Sequence, residues 1–599
     1  MNIVHLLSQN HLTGAEVYAV ALAAHQTNSG HQVYQISNGF FSESTALQIP
    51  IEVETRSRWQ RLQNILWLRR FIKENNIHVI HTHSRAAVKL AYWSTLFTKT
   101  AVVSTVHGIQ HPSFSKKIHN QYGQFIIAVC ENIKRQLIRD FKYSDKMIKV
   151  LPNGISSDLY KFERKAASLP LRRIAIIGRT TGPKGERTAQ VLQAFQSDEL
   201  KHLDLEISLV GGKIADLHLP ESTTQKVQEI QNATLNSQFY AQYDLVIGSG
   251  RVCMESLITG CRTLAFGEAC YVGTVTDETY TLAKTSNFGD VHPDSKKPQI
   301  NTNQFVQEIL NPPEVNTEEL SAKASEDFSV QNVAQSVERL YESAYFLKHY
   351  PHWIPTLMYH KIPNHEIQSQ HKIYVTKANF EKHLKFFKRR GFETLTFSEL
   401  EAFRKGTRDF SQFPPKPLML TFDDGYRDNL ENASPLLTQY GFKAQLFLLA
   451  NPEINSNNWD TSSTDEPSHE IIAGAERQKW KYSAFEIGSH GFSHRKITDL
   501  TKEEALEELR LSKASLEKEL SVPINVFAFT YGIISSDSAE LAQKAGYSYA
   551  VNTDTGGLLQ EQDPFAIFRV NIFPDESLWS LFKKTSRWYR NYYFKKRGK

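Results

Sequence analysis

The sequence predicts an α/β protein: two doubly wound parallel sheets in tandem, then a third α/β unit. Three observations carry this reading. A chain of 599 residues holds three or four domains at roughly 100–200 residues each. Short apolar runs alternate with helix-like stretches from the first residues onward, the rhythm of parallel strands covered by helices. That rhythm is broken twice, at the polar stretch 157–169 and again at His349-Tyr350-Pro351-His352-Trp353-Ile354-Pro355.

The elements follow in order. Ile3–Leu7 reads as a strand, and Thr13 to Glu16 as a capping box opening a helix. The runs VYQIS, HVIHTH, AVVSTVHG and FIIAVC continue the first series. The second series begins near Arg172 with RRIAIIGR, LEISLVGG, YDLVIGSG and RTLAFG. Ligands bind such sheets at the carboxyl ends of their strands, so a cleft between the two is the expected site. A helix-like stretch, Val330 to Leu347, leads into the third unit, and within that unit Asn451–Gln478 reads as a long polar loop or insertion. The expected divisions are 1–165, 166–349, 350–582 and a basic aromatic tail, 583–599.

Composition narrows the classes. Forty per cent hydrophobic and 22% charged residues fit a soluble globular protein. A net charge of +5 is small for this length and does not argue for nucleic acid. Cys130, Cys253, Cys261 and Cys270 show no paired metal spacing and read as thiols in a reducing compartment. The amino terminus lacks a basic start and is interrupted by His5, Gln9, Asn10 and His11, unlike a signal peptide. No run of ~18 apolar residues suggests a membrane span. The tail from Lys583 to Lys599 interleaves cations and aromatics with no acid. It fits either a solvated terminus or a foot on an anionic membrane surface.

The sharpest chemistry lies in the third unit. The strand Leu418–Phe422 runs directly into Asp423-Asp424-Gly425. Alone, that triplet is an ordinary turn. Some sixty residues on, His490 and His494 stand four apart, on one helical face or converging from a loop. Together, a carboxylate and two imidazoles make a three-ligand set for zinc or a similar divalent ion, with a position left for water. Two adjacent acids can divide the labour, one on the metal and one taking the proton of the water.

Asp423-Asp424 in TFDDGY and the histidines of SHGFSH resemble the first two signature motifs of the polysaccharide deacetylases (NodB homology, carbohydrate esterase family 4). The likeness extends over about 240 residues, from Leu357-Met358-Tyr359-His360 through FAFTYG at 527–532 to KAGYSYAVNTDTGG at 544–557. It implies a distorted (β/α) barrel. It also implies Asp423 as general base, Asp424, His490 and His494 as metal ligands, and the backbone N–H of Tyr531 as an oxyanion donor. Two departures stand out: Thr530 occupies the place of the family's usual proline, and the late Leu-x-His motif that supplies the general acid is missing, since no histidine follows Arg569.

The first two domains resemble family 4 glycosyltransferases of the GT-B type. The likeness rests on Leu12-Thr13-Gly14-Ala15-Glu16, Thr105-Val106-His107-Gly108, Ile177-Gly178-Arg179, Lys184-Gly185 and Cys253-Met254-Glu255-Ser256, within about 345 residues. It implies a nucleotide sugar donor. Gly14 would form the turn after the first strand, and Arg179 and Lys184 would neutralise the leaving diphosphate. Glu255 would bind ribose and His107 the transferred sugar. Eight positions before Glu255, where the family carries an acid, stands Ile247. Either the donor is bound differently or transfer is lost.

The expected function is therefore bifunctional. A cytoplasmic unit, peripheral on the inner face of the membrane, transfers a sugar from a nucleotide donor to a glycan or lipid-linked acceptor, and a metal-dependent unit deacetylates an N-acetylated sugar. The alternative is a deacetylase with a degenerate GT-B domain that only binds sugar or nucleotide.

Overall fold

A computed structural model of the protein describes residues 1–599 except 9–13, 42, 111–120, 164–168, 293–299, 370, 462–466, 554–563 and 597–599. Leu12, Thr13 and the capping box expected there lie outside the described residues, as do Asp554–Gly557 of the last family motif. The chain forms two compact units, Met1–Lys348 and His349–Lys599.

The first unit holds two sheets. Its amino-terminal sheet comprises β1 (Asn2–Leu6), β2 (Gln32–Ser37), β3 (Leu47–Pro50), β4 (Val79–Thr82), β5 (Ala101–Val106), β6 (Phe125–Ala128) and β7 (Ile148–Val150). They lie in the order β3-β2-β1-β4-β5-β6-β7, all parallel. β4, β5 and β6 are buried throughout, as strands covered on both faces must be. The second sheet comprises β8 (Arg173–Ile177), β9 (Glu206–Val210), β10 (Val227–Ile230), β11 (Leu245–Gly248), β12 (Arg262–Phe266) and β13 (Tyr271–Thr274), ordered β10-β9-β8-β11-β12-β13, with only the β12–β13 pair antiparallel. Both orders reverse beside their first strand, which sets a ligand crevice at the carboxyl edge.

Among the helices, α1 (Gly14–Asn28), α2 (Arg58–Glu74) and α3 (Arg85–Thr95) belong to the first sheet, and α4 (Gly182–Ala194) and α5 (Arg251–Thr259) to the second. α6 (Val330–His349) follows the second domain in sequence but packs on the first. Its Val333, Ala334, Val337, Leu340 and Tyr341 share a core with Ile3, Tyr18, Val79 and Val103. The compact units divide after Lys348, and the chain from Val330 returns to the domain where it began.

The second unit is a nearly closed barrel of parallel strands. It comprises β14 (Thr356–Tyr359), β15 (Glu393–Thr394), β16 (Pro417–Phe422), β17 (Ala444–Leu448), β18 (Phe485–Ser489), β19 (Val526–Ala528), β20 (Tyr549–Asn552), β21 (Ile567–Phe568) and β22 (Val570–Asn571). β21 pairs with β20 at one end of the sheet and β22 with β14 at the other. Only Arg569 separates them, so one short stretch of chain brings the two ends of the sheet together at that arginine.

The tail is not free over 583–596. After α7 (Lys502–Leu520), helices α8 (Leu578–Lys584) and α9 (Tyr589–Lys596) dock on the barrel. Leu581 and Phe594 enter its core, with Tyr589 and Tyr593 packed against it. Burying each large apolar side chain is worth about 2 kcal/mol, enough to favour docking over a solvated terminus. Among the described residues no helix is long and apolar enough to cross a membrane, and all four cysteines are free thiols.

Candidate functional site

The barrel site forms where β16, β18 and β19 end. Asp424, His494 and Tyr531 all have left-handed backbones (φ 68°, 59° and 58°). Non-glycine residues adopt this conformation only under constraint, and such residues gather at functional sites. Asp424 Oδ1 lies 3.1 Å from His490 Nε2 and 3.3 Å from His494 Nε2, with all three side chains buried. The histidines converge from a loop. Glu508 on α7 accepts the backbone N–H groups of Phe492 and Ser493 and so fixes the segment between them. Burial disfavours the Asp424 charge, but hydrogen bonds from His490 and His494 outweigh it and hold the carboxyl well below the usual range.

The donor set fits a divalent ion. His490 Nδ1 lies 2.9 Å from the Ala528 carbonyl, which accepts its N–H; Nε2 faces Asp424 and is the nitrogen that would lose its proton to a bound ion. One carboxylate oxygen and two imidazoles then share a single focus. Trp459, on the one-turn helix Asn458–Thr461 of the polar insertion, stacks on His494 at 4.0 Å between ring centroids. Tyr531 faces the same imidazole from 5.0 Å and is half-exposed. Thr530, in the place of the expected proline, donates its hydroxyl to the Arg495 carbonyl at 2.6 Å and so ties this turn to the loop after His494.

Asp423 does not share that focus; it is gripped by Arg569. Both guanidinium nitrogens donate to its carboxylate, Nη1 to Oδ1 at 2.5 Å and Nη2 to Oδ2 at 2.7 Å, and both side chains are buried. Burial pushes the Asp423 carboxyl up, yet the guanidinium charge wins and holds it below its ordinary value. His360, which motif reading included but gave no role, is the other residue beside Asp423. It follows β14, which pairs with β16 in the register Tyr359↔Phe422, so it stands at the strand end next to Asp423. The Asp423 N–H donates to the Tyr359 carbonyl at 3.1 Å. Burial lowers the His360 pKa, against the opposing pull of Asp424 and Asp423.

The first unit gathers its expected residues at the carboxyl edges of its two sheets. Gly14 opens α1, and a side chain added there would meet open space. His107 follows β5, its ring 5.8 Å from that of His83 and 5.4 Å from that of Tyr18; burial pushes its pKa down to about 4, leaving it neutral. Arg179 follows β8, is largely exposed and approaches Glu268 at 3.8 Å. Lys184, in the first turn of α4, reaches Asp290 at 3.1 Å and Ser249 at 3.3 Å. Gly185 lets that turn lie on Thr180, whose carbonyl oxygen a Cβ would meet at 2.1 Å.

Two features differ from a free ribose-binding edge. The Glu255 carboxylate is buried and already accepts from Arg251 Nε at 2.5 Å and Tyr240 Oη at 2.7 Å. Ile247 is fully buried within β11 and its core. Only Ser249 and Gly250 join β11 to α5, so no loop is left to carry the family's acid there. Asp290 offers a carboxylate at this edge, beside Gly250 and Lys184.

The Polysaccharide deacetylase family model matches residues 411–550, which include Asp423, Asp424, His490, His494 and Tyr531 but neither His360 nor Arg569. The Glycosyltransferase Family 4 model matches residues 12–159, which include Gly14 and His107. YxkH of Bacillus subtilis (strain 168), named provisionally as a polysaccharide deacetylase, is 26% identical over 265 residues, 44% of this chain and 88% of that protein. The poly-beta-1,6-N-acetyl-D-glucosamine N-deacetylase of Staphylococcus aureus (strain MRSA252) is 25% identical over 215 residues, 35% of this chain and 71% of that protein. A solved glycosyltransferase from Rickettsia africae ESF-5 is 19% identical with a TM-score of 0.46, covering 57% of this chain and 98% of its own. The chain therefore carries a family 4-like glycosyltransferase domain at its amino end and a polysaccharide deacetylase domain at its carboxyl end.

Proposed function

We propose that the protein is a bifunctional glycan enzyme. Its barrel hydrolyses the acetamide of an N-acetylated sugar with a bound divalent metal, and its first unit transfers a sugar from a nucleotide donor to a glycan or lipid-linked acceptor. The observation that carries the reading is the separation of duties between adjacent acids: Asp424 shares a focus with His490 and His494, while Asp423 is held by Arg569.

A divalent ion held by Asp424, His490 and His494 would supply Lewis-acid polarisation of the acetyl carbonyl and a more acidic water. Asp423 takes the proton of the attacking water as its oxygen bonds to the acetyl carbon. Arg569 keeps that carboxylate ionised and fixed in orientation until then. The Tyr531 N–H donates to the carbonyl oxygen as it gains charge. His360 gives a proton to the amide nitrogen as the carbon–nitrogen bond breaks, so acetate and the free amine leave. The neighbouring Asp424 and Asp423 carboxylates favour the protonated imidazole against the burial that disfavours it.

A second reading keeps the deacetylase and makes the first unit a sugar- or nucleotide-binding module. The saturated Glu255 and the buried Ile247 favour it. Against it, Arg179 is exposed and Asp290 offers a carboxylate at the same edge. The proposed location is the cytoplasm, to which four free thiols are suited. Mass spectrometry of the cell's glycans with and without the protein tests both readings. A change by one hexosamine and one acetyl group supports the bifunctional enzyme, and a change by acetyl alone supports the module.

A further inference from the structure

Histidines from neighbouring strands meet on one face of the amino-terminal sheet. His5 in β1 lies level with His81 in β4, because those strands pair in that register. His83 comes two residues after His81 and so falls on the same face. β4 and β5 pair with Thr82 opposite Ser104, which brings Thr105 level with His83. The rings lie close: centroids are 5.4 Å apart for His5 and His81, 4.1 Å for His81 and His83, and 5.2 Å for His5 and His83. All three side chains are buried, and α1 and α6 supply Gln26 and Tyr341 as their partners.

Their hydrogen bonds fix where the protons sit. His5 Nε2 donates to Gln26 Oε1 at 2.8 Å, and the Gln26 amide nitrogen donates onward to the Tyr341 hydroxyl at 3.4 Å. His5 Nδ1 therefore carries a lone pair, and it faces His83 Nε2 at 2.9 Å. The proton between the two belongs to His83 Nε2, which leaves His83 Nδ1 bare. That nitrogen is buried with no hydrogen-bond partner. A buried polar atom left unpaired calls for a cause, and a cation supplies one. His83 Nδ1 can take the ring's proton, and then Nε2 and His5 Nδ1 are two lone pairs converging on one point, an arrangement that a positive ion stabilises.

We infer that His5, His81 and His83 form a second metal site, in the first unit, for zinc or a similar borderline divalent ion. One ring nitrogen from each lies within 4.8 Å of the other two. A tetrahedral ion with bonds of about 2.0–2.1 Å sets its ligands about 3.3 Å apart, so His5 and His83 need spread only slightly. His81 has a hydroxyl at each nitrogen, Tyr341 Oη at 2.5 Å and Thr105 Oγ1 at 2.7 Å. It keeps one of them when the other nitrogen binds the ion, as His5 keeps Gln26, and such outer bonds orient the ligand rings. Three imidazoles suit zinc, cobalt or nickel, whereas magnesium and calcium take oxygen ligands. A fourth position is left for water. The ion would join β1 to β4 beside His107, whose ring lies 5.8 Å from that of His83. The inference rests on neither proposed activity.

Metal analysis of the full-length protein, dialysed against Zn²⁺ and then against buffer, tests it. The wild type should retain two equivalents, and His490→Ala with His494→Ala should retain one. Adding His5→Gln and His83→Gln to that variant should remove the last. Co²⁺ in the His490/His494 variant should show the visible bands of a tetrahedral nitrogen site. Gln26→Leu removes only the group that orients His5, so it should weaken zinc about 10–100-fold, and it serves if the double glutamine variant does not fold. A wild type with one equivalent that is lost only with His5 and His83 would uphold this site and remove the metal from the barrel. The inference is overturned if the His490/His494 variant retains no zinc and shows no cobalt bands. It is equally overturned if its zinc survives the change of His5 and His83, or is bound as tightly with Gln26→Leu.

Discussion

Arg569 forks onto Asp423, one nitrogen to each carboxylate oxygen, across 146 residues of sequence. The pair is buried, so the guanidinium sets both the charge and the orientation of the proposed base. Arg569→Ala should lower deacetylation by about the 10²–10⁴ expected for losing a general base, with metal content unchanged because no ligand is touched. It should also destabilise the barrel by about 3–5 kcal/mol through the stranded carboxylate. Arg569→Lys keeps the charge but not the fork, so its loss of turnover should be smaller. Steady-state kinetics with parallel metal analysis checks this, and an Arg569→Ala enzyme with normal turnover would remove the arginine from the account.

His360→Gln separates proton donation from the rest of the chemistry. The variant should retain its metal and lose turnover on an acetamide, whose amine must be protonated to leave. It should lose far less on an aryl acetate, whose phenolate departs without a proton. Equal losses on both substrates would mean that His360 supports the fold and not the leaving group.

A pH dependence follows from the buried histidines of the first unit. Burial pushes His5 down to about 4 and holds His81 and His83 well below their usual value. They are neutral when folded, whereas the unfolded chain takes up protons below about pH 6.5. The unfolded state therefore binds more protons in this window, and stability is full above about 6.5 and lost as the pH falls toward 4. For His5 alone the loss amounts to about 3 kcal/mol at most. Thermal unfolding from pH 7 to 5 should show a falling midpoint, with a shallower slope in His5→Gln. A flat profile would contradict the neutral cluster.

Arg179→Ala with Lys184→Ala should weaken binding of a nucleoside diphosphate sugar and leave deacetylation intact, because the two sites lie in separate compact units. Calorimetry with candidate donors reads the first effect and acetate release the second. Wild-type affinity in the double variant would exclude a phosphate role for this pair.

Much of the barrel site was legible because its parts are local. Asp423 and Asp424 follow an apolar strand directly, and His490 and His494 sit in one short segment, so each motif is readable locally, and the family resemblance joins the two across some sixty residues. Arg569 and His360 reach Asp423 only through sheet closure and strand register, which no local window contains. Each left a trace all the same: a single arginine inside the apolar run Phe565–Phe573, and a histidine directly after the apolar strand Leu357-Met358-Tyr359. Composition did not say which aromatics of the tail face inward: Tyr589, Tyr593 and Phe594 pack against the barrel, while Trp588 and Tyr592 stay exposed.

Acetate release from an N-acetylglucosamine oligomer, measured on the full chain alongside its metal content, tests the central claim most directly. The wild type should release acetate, stop when stripped by a chelator and recover when a divalent metal is returned. Asp423→Asn should hold the metal and release about 10²–10⁴-fold less, while His490→Ala should lose metal and activity together. Release by Asp423→Asn at the wild-type rate, or undiminished release by the stripped protein, would contradict the account.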